Sequence, residues 1–237
     1  EFRVVHQRYG SSEYAFAIEE LPCLQEKYPG EDLEKVFHDA VEAYRNARSR
    51  HLHLYPGVLE TLESLKDKGC LIVGYTESQS YYSLYRLRQL GLDRVLDFLY
   101  SPPQSRSSAP MIEDRIRRFD PEQYKPRRTV LRETPLGELK PNPALLLDII
   151  SEVGGDAAST VYIGDSLMKD VAMAHQAGVV DVWAKYGAAQ HRPEYDLLRR
   201  VTHWSDADVN RERAVVETRA DPEVTPTYTL ESGFAEV

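Results

Sequence analysis

The chain has 237 residues, 42% of them hydrophobic and 28% charged, which is enough to bury a core and ordinary for a globular protein. No apolar run is long enough to span a bilayer, so no membrane partner is expected. A formal net charge of -9 argues against nucleic acid, whose phosphate backbone needs a basic face, yet leaves room for a small phosphorylated ligand.

The chain opens without Met and in a helical rhythm (EFRVVHQRYG), and the expectation is that residues lie upstream. No signal-peptide core is visible there. The two cysteines, Cys23 and Cys70, sit among apolar neighbours and read as buried free thiols in a reduced, cytoplasmic setting. Residues 12–50 are helical in pattern. Ala15, Ile18, Leu21 and Leu24 recur at helical spacing, Pro29-Gly30 breaks the run, and Leu33, Val36, Phe37, Ala40, Val41 and Tyr44 mark a second amphipathic helix.

From Pro56 the rhythm changes. A helix over 57–68 leads to the apolar run Cys70-Leu71-Ile72-Val73-Gly74-Tyr75, a strand of the buried parallel type. A helix over 79–90 and a strand over Val95–Tyr100 follow. Residues 101–135 form a long connection rich in Pro, Ser and Arg, with one helix (111–119) and one strand (127–132). Then come helix 142–153, strand 159–163, helix 167–177, strand 180–184, helix 193–202, a charged segment 205–222, and a short strand near Thr227–Leu230 running into a final helix. This alternation predicts an α/β fold with a doubly wound, mostly parallel sheet.

Ligands of such sheets bind at the carboxyl ends of the strands. The residues there are Thr76-Glu77-Ser78, Lys140-Pro141-Asn142-Pro143 and Gly164-Asp165-Ser166-Leu167-Met168-Lys169-Asp170. A Thr hydroxyl and free amides at a helix start donate to phosphoryl oxygens. A Lys ammonium neutralises phosphate charge, and paired carboxylates hold Mg²⁺, which prefers oxygen ligands. Each signal taken singly also has a plain reading as a helix cap, a solvated helix start or a turn; the ordered set points to a phosphate site.

The set resembles the motifs of the haloacid dehalogenase (HAD) superfamily. Thr76 is similar to its second motif, Lys140 to its third, and Gly164-Asp165-Ser166-x-x-x-Asp170 to its fourth, with Tyr55-Pro56-Gly57-Val58 and Ala177-Gly178-Val179 agreeing at the flanks. The resemblance implies a HAD-like Rossmannoid core over 55–237 carrying the insertion at about 101–135, and a helical cap over 1–54, incomplete on its N-terminal side. It implies a Mg²⁺-dependent phosphatase acting on a small phosphate monoester through an aspartyl-phosphate. Thr76 and Lys140 would be catalytic, Thr76, Glu77 and Lys140 would bind phosphate, and Asp165 and Asp170 would hold Mg²⁺, with Asp170 a direct ligand or a partner to one.

The family's first motif, an Asp-x-Asp on the central strand, has no counterpart in place. Asp206-Ala207-Asp208 lies near the wrong end, and His6-Gln7-Arg8 after Phe2–Val5 would be a degenerate relic. The expectation is an Asp-x-Asp upstream of Glu1, and a chain of these residues alone is expected to be inactive. The alternatives are a catalytically inactive HAD-like scaffold or binding protein, a 2-haloacid dehalogenase, disfavoured by the paired aspartates, and a phosphomutase. His51-x-His53 reads as surface or packing, Tyr81-Tyr82-Ser83-Leu84-Tyr85 as packing beneath the cap or beside the pocket, and Arg127-Arg128 and Arg199-Arg200 as solvated faces.

Overall fold

In the computed structural model the described residues are 1–10, 12–13, 16–103, 120–189, 192–218 and 225–237. The expected helix over 111–119 falls outside them. Residues before Tyr55 form helices α1 (Phe2–Tyr9), α2 (Pro22–Lys27), α3 (Leu33–Val36) and α4 (His38–His51), with a 3₁₀ turn at Ala17–Glu20. Phe2–Val5 is therefore helix, not the strand that a relic of the first motif requires. Asp32 accepts a hydrogen bond from the Lys35 amide and so caps α3.

The rest alternates. Strands β1 (Val73–Tyr75), β2 (Phe98–Ser101), β3 (Val130–Glu133), β4 (Val161–Gly164), β5 (Val180–Ala184) and β6 (Tyr228–Leu230) are interleaved with helices α5 (Val58–Asp67), α6 (Ser80–Gln89), α7 (Pro143–Glu152) and α8 (Ala172–Gln176). Between β5 and β6 lie α9 (Tyr195–Val201) and α10 (Asp206–Thr218). The α/β class and the parallel pairing agree with the sequence reading. The charged segment is helical over Asp206–Thr218, and the final helix is a 3₁₀ turn at Phe234–Glu236. Gly91 closes α6 at φ 69°, a left-handed conformation that glycine adopts without a Cβ clash.

The strands do not form one continuous sheet. They make two three-stranded parallel sheets, β1-β2-β3 and β4-β5-β6. The middle strands β2 and β5 are largely buried, whereas β1 and β4 are only half-buried. Val161 on β4 is 54% exposed, and Leu71, just before β1, is 48% exposed. Among the described residues no strand hydrogen-bonds β1 to β4.

Two apolar clusters matter for the site. Val5, Phe16, Ala17 and Leu21 of the helical segment pack with Tyr81, Tyr82 and Tyr124, so the aromatic run on α6 is packing, as expected. Leu146, Ile150, Met173, Ala174 and Val179 pack together with Tyr75 of β1 and Tyr162 of β4 against them, which brings the inner edges of the two sheets to one place. The cysteine reading is corrected: Cys23 and Cys70 are free but both are exposed. Cys23 lies on the short helix α2, which has no buried residue, and Cys70 precedes the half-buried edge strand β1, so apolar neighbours in sequence did not confer burial.

Candidate active site

The carboxyl ends of β1 and β4, with the Lys140 segment between them, open into one cavity of about 370 Å³. Thr76, Glu77, Lys140, Asp165 and Asp170 all line it, so every residue singled out from the sequence is brought together. The size suits a small ligand.

Local structure explains each placement. Thr76 follows β1, and its amide donates to the Tyr100 carbonyl at 3.0 Å, prolonging the β1–β2 ladder by one step. Its hydroxyl accepts from the Ser78 amide at 3.0 Å, a turn that starts the approach to α6. Asn142 caps α7 by accepting from the Leu145 amide at 3.0 Å, with Pro143 in the first turn, which fixes Lys140 just ahead of the helix.

After β4 the chain makes a π-helical turn at Leu167–Val171. The Asp170 and Val171 amides both donate to the Ser166 carbonyl, at 2.9 and 3.1 Å. The wider turn lets Asp170 fold back over Gly164 and accept from the Ser166 amide at 3.2 Å. A Cβ on Gly164 would lie 2.3 Å from the Asp170 Cβ, so only glycine fits there.

Lys140 is the centre of the arrangement. Its Nζ lies 2.9 Å from Asp170 Oδ1 and donates to the Tyr75 carbonyl at 3.3 Å. It also sits over the rings of Tyr75 and Tyr162, 4.6 and 5.5 Å from their centroids. Burial opposes its charge, but Tyr162 and Asp170 outweigh burial and hold the ammonium above the ordinary lysine range. The Tyr162 hydroxyl donates to the same Asp170 oxygen at 3.1 Å.

Glu77 forms a second brace. It accepts from the Lys140 amide at 2.5 Å and from Lys169 Nζ at 2.6 Å. Lys169 in turn lies over the Trp204 ring, 4.7 Å from its centroid. Asp165 differs from its neighbours. Burial, reinforced by Asp170, raises its carboxyl above the usual carboxylate range, so it sits where negative charge is disfavoured unless a cation joins it.

Sequence reasoning missed Tyr162, Lys169, Tyr195, His203, Trp204 and Glu212. The last four come from the β5–β6 connection and line the same cavity. His203 pairs through Nδ1 with Ser12 Oγ at 3.1 Å, and burial, with Lys169 nearby, holds its ring below the ordinary histidine range. Burial pushes Glu212 up to about 7, opposed by Lys169 and reinforced by Asp165. Nothing in their sequence spacing marks these residues; the one local sign is the unusual density of aromatic and ionisable side chains around Thr202-His203-Trp204.

A family model described as haloacid dehalogenase-like hydrolase matches residues 3–178, well over half of the chain. The chain belongs to the haloacid dehalogenase-like hydrolase family. Within this HAD-like family, it is 25% identical over 151 residues to a glyceraldehyde 3-phosphate phosphatase of Methanopyrus kandleri, covering 64% of this chain and 52% of that protein. It is 28% identical over 134 residues to a phosphoglycolate phosphatase of Haemophilus influenzae, covering 56% of this chain and 46% of that protein. The chain thus spans about half the length of these curated relatives. Among solved structures, the HAD-hydrolase YfnB of Bacillus subtilis, crystallised bound to magnesium, superposes with a TM-score of 0.50 at 15% identity, over 99% of this chain and 78% of that one. This last likeness concerns the HAD fold.

Proposed function

We propose that this HAD-like protein is a Mg²⁺-dependent phosphatase of small phosphate monoesters. The observation that carries the reading is the convergence of Thr76, Lys140, Asp165 and Asp170 on one cavity between the inner edges of the two sheets. The phosphatase names of the two relatives point the same way.

In this reading Thr76 Oγ1 and Lys140 Nζ grip the phosphoryl oxygens, and Lys140 also offsets charge that builds up on them. Glu77 holds the Lys140 backbone and Lys169 in place with its carboxylate. A carboxylate repels phosphate, so any phosphate contact of Glu77 would come from its amide.

Asp165, which lines the cavity and whose surroundings disfavour an unpaired negative charge, would hold Mg²⁺ together with the upstream aspartate; among the described residues no group of three His, Cys, Asp or Glu side chains could hold a metal by itself. Asp170 has its Oδ1 engaged by Lys140 and Tyr162 and its Oδ2 by the Ser166 amide, so it acts mainly by orienting Lys140 and the loop that carries Asp165. Mg²⁺ bound there would offset phosphate charge.

The nucleophile is proposed to be an aspartate on a strand between β1 and β4, supplied by sequence preceding Glu1. Support comes from the inner edges, which stand half-exposed and unpaired with each other. Asp206-Ala207-Asp208 does not serve: Asp206 is 86% exposed and pairs with Arg3, and Asp208 accepts from Ser205. The aspartate oxygen bonds to phosphorus as the ester oxygen leaves; water then attacks phosphorus and frees phosphate and the aspartate.

Residues 1–54 are proposed as a helical cap, touching the cavity where Ser78 Oγ donates to Glu13 Oε2 at 2.7 Å. The two free cysteines suit a reducing, cytoplasmic setting. Among the described residues no helix is long and apolar enough to cross a membrane. The test is hydrolysis of an aryl phosphate by the full-length protein with Mg²⁺. Turnover abolished by EDTA supports the reading; no turnover, or turnover indifferent to EDTA, overturns it and favours a scaffold or a metal-free chemistry.

A further inference from the structure

We propose that the connection between β5 and β6 is the specificity wall of the cavity, and that Glu212 and Tyr195 on it bind hydroxyl groups on the organic part of the phosphate ester. The proposal rests on the phosphatase reading and says what that site selects.

The observation is a set of buried polar atoms with nothing to bond. Glu212 Oε2, the Tyr195 hydroxyl and the Tyr75 hydroxyl have no hydrogen-bond partner among the described residues, and all three residues line the cavity. Glu212 is only 8% exposed. Buried polar groups are almost always satisfied, so three orphans around one cavity mark where a ligand's polar groups belong. Glu212 and Tyr195 are carried by α10 and α9, whereas Tyr75 adjoins the phosphate grip, next to Thr76 and under Lys140 Nζ.

The chemistry of the orphans narrows the ligand. Two phenol hydroxyls both donate and accept, and a carboxyl accepts, which matches alcohol groups. A second phosphate or a carboxylate would meet the Glu212 carboxylate with like charge. A purely hydrocarbon group would leave all three atoms unpaired. The wall is braced as a unit against α1: His6 Nδ1 pairs with the Val201 carbonyl at 2.5 Å, and Arg3 and Gln7 donate to the Trp204 carbonyl at 2.9 and 3.1 Å. It is therefore a built surface that reaches into the cavity, and Trp204 and Leu198 supply apolar flanks for a carbon backbone.

The experiment compares kcat/KM of the full-length protein for glycerol 1-phosphate and a hexose 6-phosphate with that for an aryl phosphate, in the unmodified protein and in Glu212→Gln, Tyr195→Phe and Arg211→Ala. The expected result is that the first two substitutions lower the hydroxylated-to-aryl ratio by about tenfold or more, chiefly through KM, because the site loses a hydrogen bond made only to the hydroxylated esters. Arg211→Ala, exposed on the same helix, keeps the ratio. An unchanged ratio, or equal loss on both ester types, overturns the proposal. If no ester is hydrolysed, the phosphatase reading fails, and calorimetric binding of the same esters decides the wall. Binding weakened about tenfold by Glu212→Gln supports it; equal binding, or none, overturns it.

Discussion

Lys140 and Asp170, 30 residues apart in sequence, meet at 2.9 Å between Nζ and Oδ1, with side chains only 11% and 8% exposed. A buried pair of this kind stabilises little in itself but costs much to break, because the remaining charge is left in a poor solvent. Asp170→Asn should therefore lower unfolding stability by about 3 kcal/mol, measured by urea titration. Lys140→Met with Asp170→Leu should cost clearly less than the sum of the two single changes. Full additivity would show that the pair is not coupled.

Gly164→Ala tests the geometry that makes this pairing possible. The new Cβ would sit 2.3 Å from the Asp170 Cβ and 2.6 Å from its Oδ2, so Asp170 must shift. Thermal unfolding should show a loss of about 1–3 kcal/mol, and phosphatase turnover should fall with it, since Lys140 loses its anchor. A variant as stable and active as the parent would mean that Asp170 has room which the π-helical turn does not show.

Asp93 offers a pH test away from the site. It is buried, and burial alone would raise its carboxyl, but the amides of Arg127, Arg128 and Thr129 and the Arg88 guanidinium hold it down to about 2. Its pKa is lower folded than unfolded. Its contribution is thus full above the unfolded value near 3.8 and is lost as pH falls toward about 2. The expected magnitude is roughly 2 kcal/mol, read as the difference in acid unfolding between the parent and Asp93→Asn. At neutral pH, Asp93→Ala should cost about 3 kcal/mol, because the approach to β3 loses its anchor.

The sequence carried the order of the elements and the grip of the site, because both depend on local signals. Apolar runs such as Val180–Ala184 specify buried strands, and Thr76, Lys140 and Asp165 each sit where a strand or loop feeds a helix. What it did not carry depends on partners distant in the chain. Lys169 meets Glu77 across 92 positions, and no periodicity encodes that brace. Glu212 falls in a charged segment that carries no motif, and only the folding of α10 against the π-helical turn buries it. Cys23 and Cys70 show the reverse error: apolar neighbours in sequence, exposed thiols in space.

These side chains are proposed to serve a metal-assisted phosphoryl transfer, and Asp165 decides whether they do. The measurement is kcat/KM for an aryl phosphate with saturating Mg²⁺ in the full-length protein and its Asp165→Asn variant, folding of the variant being checked by its melting curve. A loss of about a hundredfold or more is expected in the variant, with the melting temperature equal to or above that of the parent, because a carboxylate with a raised pKa has been made neutral. Equal turnover in the two proteins would contradict it.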